Sequence, residues 1–261
     1  MSSIVTDQGI VHYERFGRGK PVILLHCWLG SWNYWLPTME YLSDRYKTYA
    51  LDFWGFGDSA KQGSFTVAEY VQMVVQFMDR MGLDRAPVMG HSMGGTVSLS
   101  LALDYPERVS QVAVVGSPIV GTGLSVLLKL AGNRQIAKLL YRFPKALTTG
   151  VRLLSPFYAR DWRTWYGMFE KDISRTTMES FCNSIYDLHH TDLRPRLPEL
   201  QIPVMGIFGR KDNIVDPKQG EVLKAGVPHA EVHYFKDSAH FPMLDETDLF
   251  LKTVRAFLDS Q

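Results

Sequence analysis

Two cysteines in 261 residues, Cys27 and Cys182, exclude a disulfide framework: they lie far apart, and neither sits in a CxxC or Cys/His spacing that would hold zinc. Long apolar runs are also missing. No stretch approaches the ~18 residues of a membrane span. Residues 1–11 lack both the basic start and the apolar segment of ~7–15 residues that a secretory leader needs. A reducing, cytoplasmic setting without a membrane span is therefore expected. Excess charge of one sign is absent too, because 28 Lys and Arg face 27 Asp and Glu. That balance offers no overall field for nucleic acid or an anionic membrane and points to a small, nearly neutral partner. The length suits one large domain with an insertion better than two independent cores.

What is present is an alternation. Short apolar runs at 22–26, 48–52, 87–91, 112–116, 204–209 and 232–235 are of strand size and rich in β-branched and aromatic residues. Helical patterns at 31–43, 67–81, 93–104, 217–226 and 246–258 separate them. Such alternation predicts a mostly parallel sheet covered on both faces, preceded by an antiparallel start in 4–16 around the turn residues Asp7-Gln8-Gly9. The rhythm breaks between 121 and 196, where the pattern is helical and aromatic, and Pro195, Pro198 and Pro203 punctuate its end. The predicted organisation is thus a first core part at 1–120, a helical insertion at 121–196 and a second core part at 197–261.

Gly90-His91-Ser92-Met93-Gly94-Gly95 follows one predicted strand and opens a helix. In that context G-x-S-x-G reads as a nucleophile elbow, a turn so sharp that side chains at the flanking glycines would collide. A serine hydroxyl needs a base at neutral pH. His240, in Asp237-Ser238-Ala239-His240-Phe241-Pro242 after the last predicted strand, is placed to serve. His189, His190, His229 and His233 lack that setting, and His26 is better used structurally. The acid that orients the imidazole is predicted to be Asp212, which follows the strand at 204–209. Asp216 is the runner-up, with a helix-capping role as its alternative. Oxyanion donors would be the backbone amides of Met93, directly after the nucleophile, and of Trp28, in the loop after the strand at 22–26.

With Asp52-Phe53-Trp54-Gly55-Phe56-Gly57-Asp58-Ser59, which looks like a D-x-x-G-x-G-x-S loop, these residues resemble the α/β-hydrolase superfamily over nearly the whole chain outside the insertion. The resemblance implies the α/β-hydrolase fold with a helical cap and cleavage of carboxylic esters through an acyl-enzyme, without metal or organic cofactor. It departs at Cys27, where the family usually has glycine, which bears on the backbone geometry of the oxyanion loop. Cys27 itself reads as a buried thiol. Dehalogenases and epoxide hydrolases of the fold carry aspartate where this chain has Ser92, so they are not matched. Carbon–carbon cleavage of ring-fission products remains open, as do peracid formation, proline aminopeptidase activity and a receptor role with little turnover. The insertion is expected to close over the site as a lid. Trp162, Trp165, Tyr166 and Phe169 would line a pocket for a small to medium hydrophobic ester or related carbonyl substrate, and long chains would be rejected.

Overall fold

The strand-sized apolar runs form six adjoining strands of an eight-stranded sheet in the computed structural model, which describes residues 2–260 apart from the side chains of Leu140, Tyr141 and Pro144. In chain order the strands are β1 (Ser2–Thr6), β2 (Gly9–Gly17), β3 (Lys20–Leu25), β4 (Tyr46–Leu51), β5 (Ala86–His91), β6 (Val109–Val115), β7 (Val204–Gly209) and β8 (Glu231–Phe235). Their spatial order is β1-β2-β4-β3-β5-β6-β7-β8. The pairings β1–β2 and β2–β4 are antiparallel and all others parallel. The burial follows this arrangement. β7 is buried at every position, as a parallel strand covered on both faces must be, whereas the edge strand β1 alternates between half-buried and exposed residues along most of its length.

Helices cover the sheet: α1 (Leu36–Leu42), α2 (Val67–Met81) and α3 (Met93–Asp104) precede the insertion. α2 starts where the Thr66 side chain accepts from the Glu69 amide, and it ends on Gly82 in the left-handed conformation. α3 is buried on all sides from Met93 to Leu103, which suits the helix that descends from the elbow through the middle of the molecule. The helix predicted over 31–43 instead begins as a 3-10 turn, Trp32–Trp35, and becomes α-helical only at Leu36, with Pro37 in the first turn, where its missing N–H costs nothing.

Between β6 and β7 the described residues contain five α-helices and no strand of the sheet: α4 (Val126–Ala131), α5 (Arg134–Arg142), α6 (Pro144–Leu154), α7 (Trp162–Ile173) and α8 (Met178–His190). Specific bonds tie this segment to the core. Ser31 Oγ donates to Asp172 Oδ2 at 3.1 Å, Ser180 Oγ donates to the Gly55 carbonyl at 2.9 Å, and the Val67 amide donates to Asp187 Oδ2 at 2.8 Å. α9 (Gln219–Gly226), α10 (Pro242–Asp245) and α11 (Thr247–Asp259) complete the chain. α10, a single turn after the predicted base, carries too few residues for a periodic signal in the sequence.

Candidate active site

The elbow is built by close approach. A Cβ on Gly90 would stand 2.1 Å from the backbone of Gly94, and one on Gly94 would stand 2.3 Å from the Leu25 carbonyl oxygen. Only glycine fits either place. The turn between β5 and α3 leaves Ser92 at φ 54° and ψ −118°, a conformation that costs a non-glycine residue about 1–3 kcal/mol. Its amide donates to the Val115 carbonyl at 2.8 Å, so the strained residue is fastened to β6 while its side chain lines a cavity.

His240 lines the same cavity. Its Nδ1 lies 2.7 Å from Asp212 Oδ2. The other oxygen of that carboxylate accepts from the amides of Ile214 at 2.8 Å and Val215 at 3.0 Å. A carboxylate held by two backbone N–H groups takes the imidazole Nδ1–H as its third donor, which assigns that tautomer and leaves Nε2 free to accept a proton. Asp216 goes elsewhere. It is exposed, and its Oδ1 accepts from the Lys218 amide at 2.9 Å, just before α9.

The loop that bears His240 is gripped from two sides, and this was not foreseen from the sequence. His91 Nε2 stands 2.8 Å from the His240 carbonyl oxygen. Burial pushes the His91 imidazole well below its ordinary pKa, so the ring is neutral and Nε2–H donates. From the insertion side, the Tyr158 carbonyl accepts the His240 amide at 3.2 Å. The Asp245 carboxylate completes the grip by accepting from the amides of Ala239 at 2.8 Å and Arg160 at 2.7 Å. The one available signal was the position of His91 beside the nucleophile. Spacing alone does not tell which way that side chain turns.

Directly after Ser92 and in the loop after β3, the amides of Met93 and Trp28 make no hydrogen bond among the described residues, which leaves both free to donate. Met93 is the first residue of α3, where an amide has no partner within the helix. The Trp28 side chain packs on Phe181, its Nε1–H donating to the Phe181 carbonyl at 3.1 Å. His26 holds the loop. Its Nδ1 is 2.7 Å from the Cys27 carbonyl, and its Nε2 accepts from the Phe53 amide at 2.9 Å. Burial lowers its pKa to about 4, which keeps the ring neutral for both bonds. The departure at Cys27 is absorbed without strain at that residue, because the positive φ of the loop falls on Leu29, at 56°. Burial raises the Cys27 thiol far above its usual range, so it stays protonated.

The cavity measures about 510 Å³, within the size range of small-molecule sites. Two of the four predicted lining residues, Trp165 and Phe169, belong to its wall, and two do not. Tyr166 turns to Glu170 and the Thr148 carbonyl, while Trp162 lies half-exposed beneath the Arg163 guanidinium. The reason is helical period: 165 and 169 are four apart on the buried face of α7, whereas 162 and 166 lie on the neighbouring stripe. The expected complete closure is also corrected. Leu127, Leu130, Leu139, Phe143 and Leu154 line the cavity and are at the same time exposed, so it opens to the surface between α4, α5 and α6.

Comparison with known proteins agrees with this geometry. The family model described as alpha/beta hydrolase fold matches residues 20–247. The chain is 25% identical to the pimeloyl-acyl-carrier-protein methyl ester esterase of Aliivibrio salmonicida, covering 96% of this chain and 97% of that one. It is 28% identical to a 2-hydroxy-6-oxononadienedioate/2-hydroxy-6-oxononatrienedioate hydrolase of a Pseudomonas species, over 96% and 92% of the two chains. Among solved structures it is similar to the enol-lactonase of Burkholderia xenovorans LB400, with a TM-score of 0.85, 23% identity and coverage of 99% and 100%. A match over most of the chain, on a sheet of this order with the elbow at its centre, places the protein in the α/β-hydrolase family.

Proposed function

We propose that the protein hydrolyses carboxylic esters with a hydrophobic acyl group, using Ser92 as nucleophile, His240 as general base and acid, and Asp212 as the group that orients His240. In this mechanism His240 Nε2 takes the Ser92 proton as Oγ attacks the ester carbonyl. The amides of Trp28 and Met93 receive the developing oxyanion. The imidazolium, stabilised by Asp212, then gives its proton to the leaving alcohol. Water activated by the same histidine releases the acid.

The observation that carries the choice of substrate class is the cavity wall, which contains no Asp, Glu, Lys or Arg among the described residues. A ring-fission dienoate brings a carboxylate into the site and calls for a cation there. A peptide N-terminus calls for an acid. A neutral ester calls for neither, and burying an unpaired charge in such a cavity would cost several kcal/mol. The test sets p-nitrophenyl butyrate against a ring-fission dienoate, with a fluorophosphonate label located by peptide mass spectrometry. Ester turnover that disappears in Ser92→Ala, with the label on Ser92 alone, is expected. Faster turnover of the dienoate, or undiminished activity in Ser92→Ala, would overturn the proposal.

A further inference from the structure

Overall charge balance conceals a segregation. Residues 121–160 contain seven Lys and Arg and no Asp or Glu, leaving the other 221 residues with 21 cations against 27 acids, a net charge of −6. Elsewhere seven of the twelve arginines form ion pairs among the described residues, as in Arg45–Asp259, Arg80–Asp7, Arg108–Asp79 and Arg255–Asp44. Among the described residues no cation of 121–160 forms an ion pair. Lys138, Arg142 and Lys145 on α5 and α6 are exposed, and so are Arg134, Arg152 and Arg160. The same segment carries most of the exposed large apolar side chains of the molecule. Besides the five at the cavity mouth, these are Val126 (70% exposed), Leu153 (73%) and Phe157 (64%). An apolar patch of this kind rimmed by polar groups marks an interaction site.

From these observations we infer that α4, α5 and α6 form an interfacial surface that seats the protein on an anionic lipid bilayer with the cavity mouth facing the acyl chains. The charges alone would suit an acidic protein equally well. The apolar tips decide between the two. Short amphipathic helices that combine exposed leucine, valine and phenylalanine with lysine and arginine lie in a membrane interface, apolar side chains among the acyl chains and cations at the headgroups. The mouth opens within that patch, so an acyl substrate would pass from lipid to cavity without crossing water. No described helix is long and apolar enough to cross a membrane, and the attachment is peripheral.

The inference extends the proposed ester cleavage but stands apart from it, because Ser92→Ala is expected to bind vesicles as the wild type does. Wild-type protein should co-sediment with vesicles of equal parts phosphatidylcholine and phosphatidylglycerol, bind pure phosphatidylcholine far less, and be partly released by high salt. The triple change Lys138→Glu, Arg142→Glu, Lys145→Glu should lower partitioning about 100-fold or more, at roughly a factor of five per cation. Its kcat/KM on soluble p-nitrophenyl butyrate should stay unchanged, which shows that it is folded. Val126→Ser, Leu153→Ser, Phe157→Ser should remove the binding that survives high salt. Absence of vesicle binding by the wild type, or equal binding by the charge-reversed variant, would overturn the inference. So would a saturable complex with an acidic carrier protein formed in place of vesicle binding and lost on the same charge reversal.

Discussion

Ser92 is held where a serine is not comfortable, and the strain separates stability from activity. Ser92→Gly removes the Cβ from a backbone at φ 54°, and relief of strain exceeds the added freedom of the unfolded chain. A net stabilisation on the order of 1 kcal/mol is expected in urea unfolding, together with complete loss of ester turnover. A less stable glycine variant would show that the strain is not there. Asp212→Asn should lower kcat by about 10⁴-fold by favouring the wrong tautomer of His240, and Asp216→Asn by less than about tenfold. Steady-state kinetics on the two variants decides between the carboxylates. His91→Phe deletes the donor to the His240 carbonyl and should cost about tenfold in kcat, the worth of one hydrogen bond, with KM little changed. At this scale the convergence of Ser92, His240 and Asp212 on one place was legible because each follows a strand end at the same edge of the sheet. His91 and Asp245 were not, since their work lies in which backbone group they reach, and no spacing encodes that.

The inserted helices hold the core through few buried polar contacts, and one of them is sensitive to pH. Asp172 of α7 is buried against Ser31, and burial raises its pKa from the usual 3.8 to about 7, while the Ser31 hydroxyl, Arg175 and Lys171 oppose the rise and Asp52 adds to it. The folded state thus binds this proton more tightly than the unfolded chain. The contribution is most favourable below about pH 4, declines as pH rises through the range to about 7, and is level above that. Asp172→Asn should remove this decline, so the variant gains on the wild type between pH 4 and 7 by as much as about 4 kcal/mol. Urea unfolding across that range measures it, and a constant difference between the two proteins would refute it. Under the proposed ester cleavage, Trp165 and Phe169 form part of the wall that an acyl chain would meet. Each methylene of an acyl chain buried there should raise kcat/KM about fourfold, from acetate through butyrate to hexanoate. Phe169→Ala should flatten that slope. The sequence displayed the aromatic content of α7 plainly, but its four aromatics fall on two stripes, and only the packed helix tells which stripe faces inward.

For the whole molecule, the places of the parallel strands and the break in their alternation were readable because parallel strands buried on both faces must be nearly continuous apolar runs, whereas their spatial order was not. The net charge of +1 says little about surfaces, because a sum carries no position. Six cations on three adjoining helices, with Arg160 just beyond them and none in an ion pair among the described residues, make a dipolar protein together with the surplus of acids elsewhere. Orientation on an anionic surface should therefore weaken with ionic strength more steeply than a net charge of +1 would suggest. The grip on the loop at 239–240 has a further consequence. An insertion that swung away as a flap would carry off the Tyr158 carbonyl that accepts the His240 amide, and would pull Arg160 from Asp245. Every opening of that kind would disarm His240 as the proposed base, and every closing would have to rearm it. Under the proposed mechanism a protein so arranged would serve as a flask, filled through the mouth between α4, α5 and α6 while the groups at the bottom stay assembled.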